Sequence, residues 1–274
     1  MTVLKIGGSV LTNAGAYCRA AAFVRSLTTD RCARAVAVVS AELGHTDALL
    51  AEAHQLTDAP DADVLALLWS TGELRSVALL ALALQTAGVR ASAMNVHECG
   101  IRAARHSSRI ALNTLAIRVA LERFPVVVVP GFLATSGQRV VTLGRGGSDL
   151  SAVLLSAALG ASRCVLVKDV DGYYTDDPRR RAGAGLIQEL SYDDALSMAD
   201  AGCPLVQRQA LAEARARGVE VIVRSFASTG TRVRGAHDGV RDEDDSCGTA
   251  GRAADGRGRL ADFSDDHVPA DCAG

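Results

Sequence analysis

Three short runs built almost wholly from aliphatic residues constrain the fold more than any other feature: Ala35-Val36-Ala37-Val38-Val39, Val126-Val127-Val128-Val129 and Cys164-Val165-Leu166-Val167. Each is too short for a core helix and lacks the polar alternation of a half-exposed strand. They read as strands buried on both faces, as in a parallel sheet. Thr2–Ile6, Val89–Met94 and Val219–Val223, the last strand expected, extend the set. Helical patterns lie between them over residues 14–27, 48–56, 63–84, 110–124, 150–159, 191–201 and 205–217, with Ser70-Thr71-Gly72-Glu73 interrupting the third. Strands alternating with helices predict an α/β protein, a three-layer α-β-α sandwich around a mostly parallel central sheet.

Polar residues gather where these strands end, the side on which such sheets place ligands. Val140-Val141-Thr142-Leu143-Gly144-Arg145-Gly146-Gly147-Ser148-Asp149 leads from an apolar approach through a glycine-rich turn into an apolar helix. Glycines bare backbone N–H groups at the positive end of a helix dipole, which favours an anion. Ser148 or Asp149 is expected to cap the first turn. A carboxylate at Asp149 would repel phosphate unless a cation stood between them. Ser40, Thr46 and Asp47 follow a second strand, and N-capping of the next helix is a competing role for them. Glu73 reads either as an ordinary helix-start glutamate or, given its apolar neighbours, as a buried carboxylate facing a cation. Residues 97–109 read as either a solvated loop or a substrate-covering flap.

Lysine is scarce beside arginine. Among 29 basic residues only Lys5 and Lys168 are lysines. Each closes an apolar strand and opens a turn, Gly7-Gly8-Ser9 in one case and Asp169-Val170-Asp171-Gly172-Tyr173-Tyr174 in the other. A compact ammonium rather than a planar guanidinium is the group retained at both places. The two tyrosines are placed to flank a base or ribose. No Walker A loop occurs.

A chain of 274 residues with 49% hydrophobic content has ample material for a core. No apolar run reaches the roughly 18 residues of a membrane span, and the N-terminus lacks a secretory pattern, so a cytoplasmic protein is expected. Seven scattered cysteines have neither disulfide nor zinc spacing. From Gly235 onward ten acidic residues face four arginines, which leaves the body modestly basic. That suits anionic small molecules. Without basic stripes or interleaved aromatics, nucleic acid is not an expected partner. Two regions are expected, a folded domain over 1–233 and a disordered Gly/Asp/Arg-rich tail over 234–274.

Five segments, Lys5-Ile6-Gly7-Gly8-Ser9, Ser70-Thr71-Gly72-Glu73-Leu74, Pro130-Gly131-Phe132, Thr142 to Asp149, and Asp169 to Arg179, together resemble the catalytic domain of aspartokinases, in the amino acid kinase superfamily. They occur in the family's order, and the likeness covers about residues 2 to 233. The resemblance implies the amino acid kinase fold and ATP-dependent phosphorylation of the aspartate side-chain carboxylate. It implies Lys5 and Asp149 as catalytic residues; Lys168, which stands where the family usually carries Thr or Ser, joins them as a candidate from the residues of this chain. Ser40, Thr46, Glu73, Phe132, Arg145 and Ser148 would bind the substrate, with Glu73 on the α-amino group and Arg145 on a carboxylate. Lys5, Gly7, Gly8, Ser9, Lys168, Asp169, Tyr174 and Arg179 would bind ATP. Mg2+ would be held mainly through the nucleotide phosphates, with no metal site made by protein ligands. Self-association into a homo-oligomer stays open.

The chain departs from the family in ways that bear on function. Where aspartokinases read Gly-Ala-Lys-Val-Leu-His-Pro and supply a second phosphate-binding lysine, this chain reads Gly202-Cys203-Pro204-Leu205-Val206-Gln207-Arg208. Lys168 is the candidate replacement. Glu42 and Asp47 place acidic groups near the expected amino-acid site and bear on substrate choice. The chain also ends where regulatory ACT domains would begin, so feedback control by lysine or threonine through such domains is not expected. Two alternatives follow: a same-fold kinase for another amino acid or carboxylic acid, and a nucleotide-binding pseudokinase or partner subunit.

Overall fold

The computed structural model describes residues 1–103, 110–144, 146–178, 180–181, 183–203 and 205–235. The order of elements is β1 (Thr2–Ile6), α1 (Ala14–Ser26), β2 (Ala35–Val39), α2 (His45–Leu56), α3 (Ala62–Thr86), β3 (Ala91–Ala93), β4 (Ile101–Ala103), β5 (Ile110–Leu112), α4 (Leu115–Arg123), β6 (Val126–Pro130), β7 (Leu133–Ser136), β8 (Arg139–Thr142), α5 (Gly147–Leu159), β9 (Arg163–Val167), β10 (Glu189–Ser191), α6 (Tyr192–Asp200), α7 (Arg208–Arg217), β11 (Glu220–Arg224) and β12 (Thr231–Arg234). The main sheet runs β10-β12-β11-β9-β1-β2-β6-β3, and a smaller sheet runs β5-β4-β7-β8.

The three apolar runs become β2, β6 and β9, all paired in parallel around β1 or β2. In the main sheet only β11 against β12 is antiparallel. Strand periodicity sorts side chains onto two faces. Leu4, Ile6, Ala37, Val39, Val128 and Val167 pack with Tyr17, Val24, Leu80 and Leu84 of α1 and α3. Val3, Val38, Val129 and Leu166 pack with Leu150, Leu154, Ala195 and Leu211 of α5, α6 and α7. The result is the expected three-layer sandwich. Lys5 shares the face of Val3, so the alternation that builds the core also aims this lysine under α5.

Several expectations are corrected. Helix α3 runs unbroken through Ser70-Thr71-Gly72-Glu73. Gly72 is needed there because a Cβ would press on the His45 ring and the Ala41 side chain, so glycine permits a close approach of neighbouring chain rather than a helix break. Residues 110–112 form β5 rather than the start of a helix, and α4 begins after Asn113, whose side-chain oxygen accepts from Leu115 N. The strand near 219–223 is followed by β12, and β10 was not anticipated. Helix α3 has 25 residues and a stretch of hydropathy 1.4, long and apolar enough by composition alone to cross a membrane. Its buried side packs on α1 and the sheet, as a core helix does. The expected domain boundary at 233 falls at the end of β12, and residues 236–274 of the expected tail lie outside the described residues.

Candidate active site

Sheet register brings the ends of β1, β2, β6 and β9 to one edge. Lys5 pairs with Leu166 and Val38, and Val39 pairs with Pro130. Lys5, Ser40, Phe132 and Lys168 therefore emerge side by side although the chain separates them widely.

Helix α5 enters this edge through the glycine-rich turn. Gly146, at φ 76°, is its N-cap, and no side chain caps it. The capping role expected of Ser148 or Asp149 is thus corrected: both lie within the helix and are buried. The same holds for α2, whose N-cap is Gly44 at φ 78°, leaving Thr46 and Asp47 in its first turn rather than capping it. Glycine caps spend no polar side chain, so these groups stay free to face the cleft.

Asp149 sits between both lysines. Lys168 Nζ donates to its Oδ2 at 2.9 Å, and Lys5 Nζ forms an ion pair with Oδ1 at 3.0 Å. Burial by itself would raise the Asp149 pKa, but Lys5 and then Lys168 outweigh it and hold the carboxyl below its ordinary value. Burial pulls Lys168 below the usual lysine value, and Asp149 opposes that shift. The repulsion between Asp149 and an incoming phosphate is therefore answered by two ammonium groups of the chain itself.

Two cavities meet at these lysines. The larger, about 820 Å3, is lined by Lys5, Gly7, Gly8, Ser9, Lys168, Asp169 and the turn from Gly172 to Pro178. A Cβ on Gly8 would drive into the Ala41 carbonyl, so glycine is required where this turn passes β2's exit. Ser9 Oγ donates to Asp169 Oδ1 at 2.9 Å, tying the two turns together. Tyr174 lines this cavity, and its hydroxyl donates to Asp171 at 3.4 Å. Tyr173 also reaches its wall but is buried with the α5-side core, which corrects the pairing of both tyrosines as flanks for a base.

The second cavity, about 640 Å3, is lined by Lys5 and Lys168 again, with Ser40, Thr46, Glu73, Phe132, Ser148 and Asp149. Of the two readings of Glu73, the buried one holds: it is 3% exposed. Burial pushes its pKa up to about 8, against the backbone of Ala41 and Gly131 and the charge of Lys5. Its Oε2 has no hydrogen-bond partner among the described residues. A buried carboxylate oxygen left open at a cavity wall calls for a donor cation from outside. Phe132, at φ 63°, is the one non-glycine residue with positive φ among those described. Its carbonyl accepts from Leu143 N at 2.8 Å, and its ring meets Trp69 edge-on.

All the expected site residues that are described converge on these two cavities. Arg145, Arg179 and Pro204 lie outside the described residues. Glu42 turns instead to Arg75, at 2.7 Å, whereas Asp47 lines the smaller cavity. The sequence reading missed Trp69 and Gln207, which also line it. Only position could have flagged Trp69, which precedes Glu73 by one helical turn and so shares its face. Among the described residues no group of three His, Cys, Asp or Glu side chains could hold a metal ion.

The profile of the amino acid kinase family matches residues 1–225. The chain is 39% identical over 198 residues to an aspartokinase from Thermus thermophilus, covering 70% of this chain and 49% of that one. Among solved structures, it resembles aspartate kinase from Synechocystis with a TM-score of 0.76 at 34% identity, covering 86% of this chain and 40% of the other. It resembles E. coli aspartokinase III in complex with aspartate and ADP with a TM-score of 0.73 at 27% identity, covering 86% and 64%. The chain spans about half the length of the curated relatives it matches.

Proposed function

The chain belongs to the amino acid kinase family, and from that premise we propose that it transfers the γ-phosphoryl group of ATP to the side-chain carboxylate of L-aspartate, giving 4-phospho-L-aspartate. The observation that carries the reading is the open Oε2 of buried Glu73 in a cavity that shares Lys5 and Lys168 with its larger neighbour. An α-ammonium group on Glu73 leaves the rest of a short acidic amino acid to reach toward the lysines. The triphosphate occupies the larger cavity, on Gly7, Gly8 and Ser9, with Tyr174 and Asp169 toward the nucleoside end.

The chemistry needs few actors. An aspartate side chain is ionised at neutral pH, so its oxygen attacks the γ-phosphorus without a general base. The new O–P bond forms as the bond from phosphorus to the β,γ-bridging oxygen breaks, and ADP departs with that electron pair. Lys5 and Lys168 neutralise charge on the transferred group, and Asp149 holds both ammonium groups in place. Further charge neutralisation would be supplied by Mg2+ held mainly through the nucleotide phosphates. Lys168 takes the role of the lysine absent from the Gly202 region.

The test is incubation of the purified protein with ATP, Mg2+, hydroxylamine and single amino acids, reading hydroxamate. Signal with aspartate upholds the reading, and none with aspartate overturns it. A second reading, the same transfer to another acidic amino acid, is favoured by Asp47 in the wall of the smaller cavity, and signal with that acid alone would establish it.

A further inference from the structure

Trp69 is the single tryptophan of the chain, and it stands in the wall of the smaller cavity. Two contacts and a shared helix face define its place. Its indole Nε1 donates to the Thr46 carbonyl at 3.2 Å, which fixes the first turn of α2 against α3. Its ring meets the Phe132 ring edge-on, with centroids 5.9 Å apart and planes at 61°. On α3 it lies one turn before Glu73, so both side chains face the same cavity.

Phe132 is the residue that most needs such support. Its left-handed backbone is unfavourable for a bulky side chain and persists only where surroundings over-determine it. Trp69 is the aromatic neighbour of Phe132, and it reaches Thr46 and Glu73's face of α3 at once.

We propose that Trp69 is the positioning residue for the amino-acid end of the site: it sets Thr46 and Phe132 relative to Glu73, and its indole senses whether the cavity is filled. This rests on the amino-acid kinase reading given above. The lysine end, built on β1, β9 and α5, does not depend on it.

Two measurements test this. In the unaltered protein, tryptophan emission is followed while aspartate is added without ATP. A saturable change in intensity or wavelength is expected, and unchanged emission at concentrations that saturate hydroxamate formation overturns the proposal. In Trp69→Ala, the KM for the amino acid rises about tenfold, the sum of a lost aromatic pair and a lost hydrogen bond, while the KM for ATP stays put. Trp69→Phe keeps a ring and loses only the N–H, so its KM rises about threefold. Equal KM values for the amino acid in all three proteins, with only thermal stability reduced, also overturn it. Failure of the earlier reading shows separately, as no hydroxamate from the unaltered protein with aspartate. In that case the emission titration is run over the other acidic amino acids. A saturable change with any of them upholds the role of Trp69, and none with all of them overturns it.

Discussion

Lys168 Nζ lies 2.9 Å from Asp149 Oδ2, and that bond joins the end of β9 to the first turn of α5 at the point where two cavities meet. With Lys5 on the other carboxylate oxygen, one buried acid organises the chain's only two lysines. The pair is a preformed charge clamp, which in the proposed transfer would spare the cost of reorganising it.

Removing one arm of the clamp should cost chemistry more than fold. Lys168→Met is expected to lower turnover about 10²- to 10³-fold, with secondary structure retained by circular dichroism. Hydroxamate rates at saturating substrates check this, and unchanged turnover would assign the second cation to another residue.

Removing the acid should instead cost stability. Asp149→Ala leaves two largely buried ammonium groups without their shared counter-charge, and breaking such a buried pair costs about 3 to 5 kcal/mol. Urea unfolding midpoints measure it. Because the folded-state pKa of Asp149 is depressed, its contribution is present above the ordinary aspartate range and is lost as pH falls through the folded-state value. The unaltered protein should lose more stability on that acid limb than the variant does.

Glu73 has the opposite sign. Its folded-state pKa is raised to about 8, so the free protein carries a proton there at neutral pH. Its stabilising share is present in acid and is lost as pH rises through about 8. Binding an α-ammonium group favours the carboxylate and expels the proton. Calorimetric binding enthalpies should therefore vary with the ionisation enthalpy of the buffer. The KM for the amino acid should fall as pH rises toward 8, by at most about tenfold per pH unit. Glu73→Gln should abolish both dependences.

Gly8 tests the phosphate turn. Gly8→Ala puts a methyl group into the Ala41 carbonyl, a backbone collision that costs about 1 to 3 kcal/mol and displaces the turn. A raised KM for ATP and a melting temperature lower by about 5 °C are expected. Gly183→Ala, where a Cβ meets nothing within 4 Å, is the matched control and should be neutral.

Much of this site was legible in residue order. Strand ends, glycine turns and the scarcity of lysine located Lys5, Gly7, Gly8, Lys168 and Asp149, because each signal is local. The helix caps were misread because Ser148, Asp149, Thr46 and Asp47 have the composition of caps. Glycines took that role in the structure, and the polar side chains face the cleft instead. Gly72 likewise looked like a break, and its reason is a neighbour across space.

Sequence by itself determined the layered α/β architecture, since hydrophobic periods of two and of 3.6 residues are written along the chain. It also singled out both lysines. Only the tertiary structure decided that one carboxylate serves both of them, that Glu73 is buried with an open oxygen while Glu42 turns to Arg75, and that Trp69 braces Phe132. Periodicity states which face a residue takes. Which side chains meet across that face depends on the register between β1, β2, β6 and β9 and on how α3 and α5 pack upon them, distances that no local pattern encodes.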